Sequence, residues 1–271
     1  MFRNSKKWIV GCLLFAACMT APYTGRSQLI LVSEAEEAAI GLDAYKQVLT
    51  EQPRSTDSAR AAVVEKVGRR IATVANRADF KWEFALLKSK DVNAFCLPGG
   101  KVAFYEGIMP ICKDENGVAV VMGHEIGHAI ARHGGERVTQ AALAEAGIAA
   151  ASEWLSNKAP ENRGEVAAAI GLGVQLGVLL PFSREHETEA DHIGLILMAK
   201  AGFDPREAPK FWERMQAASG AKAHPEFLST HPADGTRIAQ LNSWMPEAMM
   251  YYEAAQKGET FTPGAKARGA N

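Results

Sequence analysis

The sequence VAVVMGHEIGH, at residues 118–128, decides how this chain is expected to fold. Val121 and Ile126 contribute to an apolar stretch that favours a buried helix. Four residues advance an α-helix by about 400°, so His124 and His128 lie one turn apart on nearly the same face. Two imidazoles at this spacing can bind one tetrahedral Zn²⁺ ion at about 2.0–2.1 Å. The segment therefore predicts a core helix that carries two metal ligands.

Glu125 stands between the two histidines and is the candidate for proton transfer. It is rotated about 100° from His124, so it lies beside the ion rather than on it. From there its carboxylate can take a proton from water and pass it to a leaving amine. An HExxH pattern on a core helix rarely arises by chance. The pattern predicts metal-assisted hydrolysis with Glu125 as general base and then acid.

Two histidines need a third ligand, and the sequence offers candidates downstream. His133 follows His128 by five residues, about 140° around a continuous helix, so it is expected to be solvated or to cap the helix. SREHETEAD, at residues 183–191, opens another predicted helix on which Glu187 and Asp191 share a face. One carboxylate can bind the metal while the other accepts a ring N–H from a ligating histidine. On spacing alone these acidic residues can equally be complements to the helix dipole, a role for which Glu185 and Glu189 would suffice.

The remainder of the chain is predicted to be mostly helical with one small sheet. Apolar periodicity predicts helices at 33–50, 57–76, 115–134, 136–157, 161–180, 184–201, 205–219 and 234–244. Alternation at 82–86 predicts a strand, and the segments 92–97 and 101–105 around a Pro-Gly-Gly turn predict a hairpin joined to it. The predicted class is α+β, with the hairpin beside the HExxH helix.

The N-terminus is typical of a secretory signal. Three basic residues precede an apolar run at 8–17, which is about half the length of a membrane-spanning helix. Cys18 follows LFAA and resembles the end of a bacterial lipobox, although that pattern prefers an aliphatic residue in place of the phenylalanine. We predict a lipoprotein signal peptide at 1–17 and a lipid on Cys18. The alternative is an ordinary signal cleaved near Ala21.

Length, composition and charge restrict the domain organisation and the classes of possible partner. The 271 residues suffice for one sizeable core, and a catalytic domain is predicted over 30–250. The formal net charge of -1 gives no electrostatic reason to expect nucleic acid. The export signal predicts a periplasmic protein, anchored to the outer membrane by its lipid or else soluble, and leaves its oligomeric state open. The Gly-, Ala- and Lys-rich tail at 258–271 is expected to be disordered.

Two further features leave alternatives open. The apolar segment 167–182 is shorter than the roughly 20 residues of a membrane helix, so a buried or interfacial helix is favoured over a membrane span. Cys96 and Cys112 can form a disulfide in an oxidising compartment, or they can remain free buried thiols.

The motifs taken together resemble a known peptidase family. HEIGH at 124–128 is followed by ETEAD at 187–191 and STHP at 229–232, and preceded by NAF at 93–95 and LPGG at 97–100. This set is similar to the HExxH gluzincin family of the CAAX prenyl endopeptidases and HtpX, and most of all to the periplasmic LoiP and BepA type. The resemblance implies a zincin-type fold and a zinc-dependent endopeptidase acting on envelope proteins that are misfolded or destined for the outer membrane.

The resemblance also implies roles for single residues. Glu187 becomes the third zinc ligand, and Asp191 orients a ligating histidine. His231 belongs to the active site, where it either stabilises the oxyanion or occupies the open metal position of a latent enzyme. Arg237 is expected to hold His231 or to bind the substrate carbonyl.

A substrate strand and a rival function complete the predictions. The hairpin supplies a strand edge against which an extended substrate pairs, with Asn93, Ala94 and Phe95 as the predicted substrate-binding residues. The alternative function is a latent or self-inhibited zinc protein that acts mainly as a periplasmic chaperone or assembly factor.

Overall fold

The computed structural model describes residues 18–158, 182–219, 226–231 and 235–261. The elements are, in chain order, β1 (Cys18–Thr20), β2 (Ser27–Leu29), α1 (Glu34–Glu51), α2 (Ser58–Val74), β3 (Glu83–Leu87), β4 (Ala94–Leu97), β5 (Lys101–Tyr105), α3 (Met109–Cys112), α4 (Glu115–Ile130), α5 (His133–Lys158), α6 (Arg184–Lys200), α7 (Glu207–Ser219), α8 (Glu226–Thr230) and α9 (Arg237–Gln256). The predicted α+β class, mostly helical with small sheets, is confirmed. The predicted signal at 1–17, the helix at 161–180 and the end of the tail, 262–271, lie outside the described residues.

The larger sheet has three strands in the order β3-β5-β4. β4 and β5 form the predicted antiparallel hairpin, in which Ala94 lies opposite Phe104. Its turn depends on Gly99 and Gly100, whose φ angles are +82° and +84°. Residues with a side chain rarely adopt such angles. β3 pairs with β5 in parallel, which the sequence pattern did not indicate. β4 is therefore an edge strand, and no strand of the described part of the chain pairs with its outer side.

A strand pair that the sequence analysis missed precedes the helices. β1 and β2 are antiparallel, with Cys18 opposite Leu29. Tyr23 and Gly25, at φ angles of 68° and 72°, reverse the chain between them. Three-residue strands are too short for a detectable alternation. We call residues 18–29 the N-terminal hairpin.

Helix α4 is the central element of the core. The Asp114 side chain caps it by accepting hydrogen bonds from the backbone N–H groups of Asn116 and Gly117. All residues from Gly117 to Ile130 are buried. The helix packs against α2, β4 and α6. The two histidines of HExxH are therefore carried by an element enclosed on several sides.

Helices α4 and α6 approach each other closely at glycines. A Cβ atom on Gly123 would lie 2.6 Å from the carbonyl oxygen of Gly194. A Cβ atom on Gly194 would lie 2.6 Å from the backbone nitrogen of His124. Both distances are well inside van der Waals contact. Because neither glycine has a side chain, the two backbones can touch. This contact brings Glu187 of α6 to the histidines of α4.

Helix α9 continues beyond its predicted end at 244. Pro246 lies inside it and removes one backbone hydrogen bond, a change that costs roughly 3 kcal/mol in a helix. Ala248 and Tyr251 are buried beyond the proline and offset that cost by packing on the core.

The structure also resolves the question of the cysteines. Cys96 is half-buried, Cys112 is buried, and both are free thiols, so the disulfide alternative does not hold. No helix within the described ranges has the length and apolarity needed to cross a bilayer. Most of the 167–182 segment is outside those ranges.

Candidate metal centre

Four buried side chains converge where α4 and α6 meet. His124 and His128 come from α4, Glu187 comes from the first turn of α6, and His231 directly follows α8. Each offers one ligand atom, and these four atoms lie within 4.8 Å of one another. The structure thus brings together the predicted ligands and His231.

The distances between the ligand atoms fit a single tetrahedral ion. The Nε2 atoms of His124 and His128 are 3.1 Å apart, and His128 Nε2 is 3.3 Å from Glu187 Oε1. His231 Nδ1 lies 3.1 Å from His124 Nε2 and 3.0 Å from Glu187 Oε1. Donors that bind a tetrahedral Zn²⁺ at about 2.0–2.1 Å are about 3.3 Å from one another. Imidazole nitrogens with a carboxylate oxygen are also a donor set that zinc accepts, so the residues fit a zinc ion.

Asp191 and Arg237 hold the ligand side chains in place through hydrogen bonds. Asp191 Oδ1 is 2.8 Å from His124 Nδ1, in the position predicted for an orienting carboxylate. Arg237 Nη2 donates to Glu187 Oε2 at 2.8 Å and to Asp191 Oδ1 at 2.9 Å. The guanidinium carbon lies 3.6 Å from the ring centre of Trp212, a residue that the sequence analysis did not single out. Arg237 is therefore a positioning residue for the two carboxylates.

The charges of the centre set the protonation of the ligands. Burial lowers the pKa of His128 well below its ordinary value, which leaves the ring neutral. Burial acts to raise the pKa of Glu187, but the hydrogen bonds with His124 and His128 outweigh it and hold that pKa well below its usual range. Burial acts to lower the pKa of His124, but Asp191 and Glu187 raise it to about 9. Metal binding therefore has to displace a proton from His124.

Glu125 has the properties of a general base. It is 3% exposed, and its Oε1 atom has no hydrogen-bond partner in the described part of the chain. This oxygen lies 3.6 Å from His231 Nε2, beside the ligand cluster. Burial raises the pKa of Glu125, which moves its basicity toward neutral pH. A buried oxygen without a partner costs free energy, and its retention here fits a role in proton transfer.

The predicted substrate residues lie beside this centre. β4 packs against α4, with Ala94 buried and Asn93 and Phe95 half-buried. Burial, and next the nearby carboxylate of Glu125, raise the pKa of the Cys96 thiol in the same strand. The edge strand therefore passes close to the proposed base.

The prediction for His133 was wrong. The side chain is fully buried, and its Nδ1 atom lies 2.8 Å from Nδ1 of the ligand His128. The helical-wheel reasoning assumed one continuous helix, but α4 ends at Ile130 and Arg132 adopts a φ of 60°. The available sign of this break was the glycine pair that follows His133.

Glu189, for which spacing alone offered a role as a complement to the helix dipole, has specific partners in the structure. It is 4% exposed, and its Oε2 atom lies 2.9 Å from His133 Nε2. Burial acts to raise the pKa of Glu189, but hydrogen bonds from His133, Thr24 and Arg26 lower it to about 2. Nothing in the local sequence distinguishes Glu189 from the exposed Glu185, because its partners are distant in the chain.

HExxH on a buried helix, a glutamate from a second helix and the adjacent buried carboxylate of Glu125 define a zinc metalloendopeptidase of the gluzincin type. Peptidase family M48 matches residues 58–245, and the chain belongs to that family. The predicted family, enzyme class and zinc cofactor are confirmed.

Relatives of this chain occur in mitochondria and in bacteria. It is similar to the mitochondrial metalloendopeptidase OMA1 of Schizosaccharomyces pombe, with 39% identity over 92% of this chain and 75% of the relative. The Saccharomyces cerevisiae OMA1 is 33% identical over 93% of this chain and 77% of its own length. The beta-barrel assembly-enhancing protease of Escherichia coli is 28% identical over 88% of this chain and 52% of its own length.

These relatives contradict the predicted location. The more similar proteins are named as mitochondrial, whereas the bacterial protease is more distant. The prediction of a periplasmic protein, soluble or anchored to the outer membrane, is therefore wrong. Cleavage after residue 17 and lipidation of Cys18 stay predictions.

Proposed function

We propose that this zinc metalloendopeptidase cleaves extended segments of misfolded proteins and that His231 holds it in a closed state. The ligand geometry carries the proposal. His231 Nδ1 stands 3.1 Å from His124 Nε2 and 3.0 Å from Glu187 Oε1, the distances expected of a fourth tetrahedral ligand. A histidine in that position competes with the substrate carbonyl for the metal. Of its two predicted roles, the geometry therefore favours blocking over oxyanion stabilisation.

The residues around the ligands have separate roles in the proposed amide hydrolysis. Zinc, when it is bound, polarises a carbonyl oxygen and lowers the pKa of water. Glu125 accepts the proton of the attacking water at its unpartnered oxygen and donates it to the amide nitrogen as the C–N bond breaks. The products are one carboxyl group and one amine. Asp191 keeps the His124 ring in place throughout.

The outer edge of β4, with which no strand among the described residues pairs, is the proposed substrate platform. An extended peptide can pair with such an edge through main-chain hydrogen bonds, which select weakly for sequence and so suit misfolded proteins. Asn93, Ala94 and Phe95 would meet the substrate there. The Phe227 N–H of α8 donates to the Val92 carbonyl at 2.9 Å, just before this strand. A backbone hydrogen bond therefore joins the residues just before β4 to the segment that carries His231.

The fourth-ligand geometry of His231 also favours a second candidate function. If His231 does not leave the metal, the protein binds unfolded chains at β4 and its hydrolysis remains latent. This is a chaperone or assembly factor rather than a peptidase. The two candidates differ in whether the wild type, which has His231 in place, cleaves its substrate.

Digestion of β-casein by the full chain, with and without a metal chelator, tests the proposal. The wild type is expected to cleave slowly, and the chelator is expected to stop it. Glu125→Gln is expected to keep its zinc while cleavage falls at least about a hundredfold, because the base is lost and the ligands are not. Full activity of Glu125→Gln would contradict the mechanism.

A second variant tests whether His231 blocks the fourth position of the metal site. His231→Ala is expected to cleave several times faster than the wild type, since it opens the fourth position. Thr230→Ala is the matched control, because Thr230 is an exposed neighbour in the same segment. If the zinc-replete wild type is inactive while His231→Ala cleaves, the chaperone candidate replaces the peptidase, and if both proteins are zinc-replete and inactive, the closure by His231 is contradicted.

A further inference from the structure

The second zinc histidine has its own chain of partners, separate from Asp191. His128 Nδ1 lies 2.8 Å from His133 Nδ1, and His133 Nε2 lies 2.9 Å from Glu189 Oε2. His133 is 0% exposed and Glu189 is 4% exposed. We call His133, Glu189 and Arg26 the second relay. It contacts the His128 ring at Nδ1, whereas Nε2 faces the other ligand atoms and would hold the metal.

The protons of the second relay can be assigned in only one direction once a metal is on His128 Nε2. A ring that binds a metal through Nε2 carries its proton on Nδ1, so His128 would donate this proton to His133 Nδ1. His133 then carries its own proton on Nε2 and donates it to the Glu189 carboxylate. Each donor meets an acceptor, and the carboxylate ends the chain.

Arg26 closes the relay from the N-terminal hairpin. Its Nε donates to Glu189 Oε2 at 2.8 Å, and its Nη2 donates to Glu136 Oε2 at 2.7 Å. Thr24 of the same hairpin donates its hydroxyl proton to Glu189 Oε1. Each carboxylate is thereby paired with a cation, which a buried carboxylate requires.

A strained turn places His133 at the start of this relay. Arg132 adopts a φ of 60°, a conformation that costs a non-glycine residue of order 1–3 kcal/mol. Its guanidinium donates from Nε to Glu37 Oε2 at 3.0 Å and from Nη2 to the Val32 carbonyl at 2.8 Å. These charge-assisted bonds hold the turn that folds His133 back on His128.

We propose that His133 is a positioning residue for the zinc ligand His128, with Glu189 and Arg26 holding it, so that the N-terminal hairpin is part of the metal centre. The arrangement matches the one on the other ligand, where Asp191 and Arg237 hold His124. Partners of this kind change metal affinity by about ten- to a hundredfold. The inference rests on the ligand set of the proposed function and deepens it.

Zinc affinity, measured by competition with a chromophoric chelator, tests the proposal without peptidase activity. His133→Phe keeps the ring shape and removes both hydrogen bonds, so zinc is expected to bind about ten- to a hundredfold more weakly. His133→Gln restores an acceptor for His128 and a donor for Glu189, and is expected to recover most of that loss. If His133 had only a structural role, His133→Phe and His133→Gln would bind zinc equally well when their thermal stabilities are the same.

His192→Phe is the matched control. His192 is on α6, as Glu189 is, and like His133 it faces a carboxylate, here Glu247 at 3.0 Å, but it stacks on Trp244 away from the ligands. Its zinc affinity is expected to stay within about twofold of the wild type. A folded His133→Phe with wild-type zinc affinity would overturn the proposal.

Arg26→Met decides the outcome if His133→Phe does not fold. It removes the cation behind Glu189 at a position that is only partly buried, and is expected to weaken zinc binding by up to about tenfold. Unchanged affinity in that variant would equally overturn the relay. Because zinc binding is the readout, a protein that fails the casein test can still pass this one.

Discussion

Replacing Gly194 by alanine tests how closely the two ligand-bearing helices have to approach. The new Cβ atom would lie 2.6 Å from the His124 backbone nitrogen and 2.7 Å from the Gly123 carbonyl carbon. Non-bonded atoms of this kind prefer about 3.5 Å or more, so α6 has to move away from α4 by about 1 Å. Both contacts are with backbone in a buried helix, which cannot move aside as a flexible side chain can.

The magnitude follows from two opposing terms. Overpacking a core typically costs about 1–3 kcal/mol, while alanine gains at most about 1 kcal/mol over glycine in helix propensity. A net decrease of about 1 kcal/mol in the free energy of unfolding lowers Tm by roughly 2–4 °C in a protein of this size. The metal is more sensitive, because ligand distances are held to about 0.2 Å and Glu187 shares α6 with the substitution. Zinc affinity is expected to fall at least about tenfold.

Calorimetry and chelator competition on the purified variant measure both effects. Gly147→Ala is the matched control, since Gly147 is within α5 and a Cβ atom there would meet nothing within 4 Å among the residues that the structure describes. That control is expected to keep its zinc affinity and to have an equal or higher Tm. If Gly194→Ala behaves like Gly147→Ala in both measurements, close helix approach does not set the ligand geometry.

Two further predictions concern the ligands and the N-terminus. Glu187→Gln is expected to lose most of its zinc, and Asp191→Asn to bind it about ten- to a hundredfold more weakly, by elemental analysis after dialysis. A metal-replete Glu187→Gln would remove that residue from the ligand set. Cys18→Ala is expected to lose the label that a palmitate analogue places on the wild type in cells, and equal labelling of both proteins would return residues 1–17 to an ordinary leader.

Much of the local structure could be predicted because its causes are local. Ser33 and Glu36, three residues apart, form a capping box at the start of α1, a motif that can be read from the sequence. The Pro-Gly-Gly turn predicted the β4–β5 hairpin, because glycine tolerates the φ angles that the turn needs. By contrast, α9 passes a proline that would end an isolated helix, since packing beyond it offsets the cost.

The metal ligands illustrate how far sequence periodicity reaches. His124 and His128 follow from the pitch of one helix, so spacing alone predicted them. Glu187 is on another helix, and spacing restricted it only to an acidic cluster until the motifs were compared with a family. The distance between the two helices depends on glycine contacts such as Gly123 with Gly194.

The sequence by itself determined the HExxH helix, the enzyme class and two of the zinc ligands. Only the tertiary structure decided which partners His133 and Glu189 have. Helical periodicity holds while φ and ψ repeat, and it fails at Arg132, where the chain leaves the helical region. Beyond that turn the partners are the side chains that packing brings near, here those of Thr24 and Arg26 from a hairpin more than a hundred residues away.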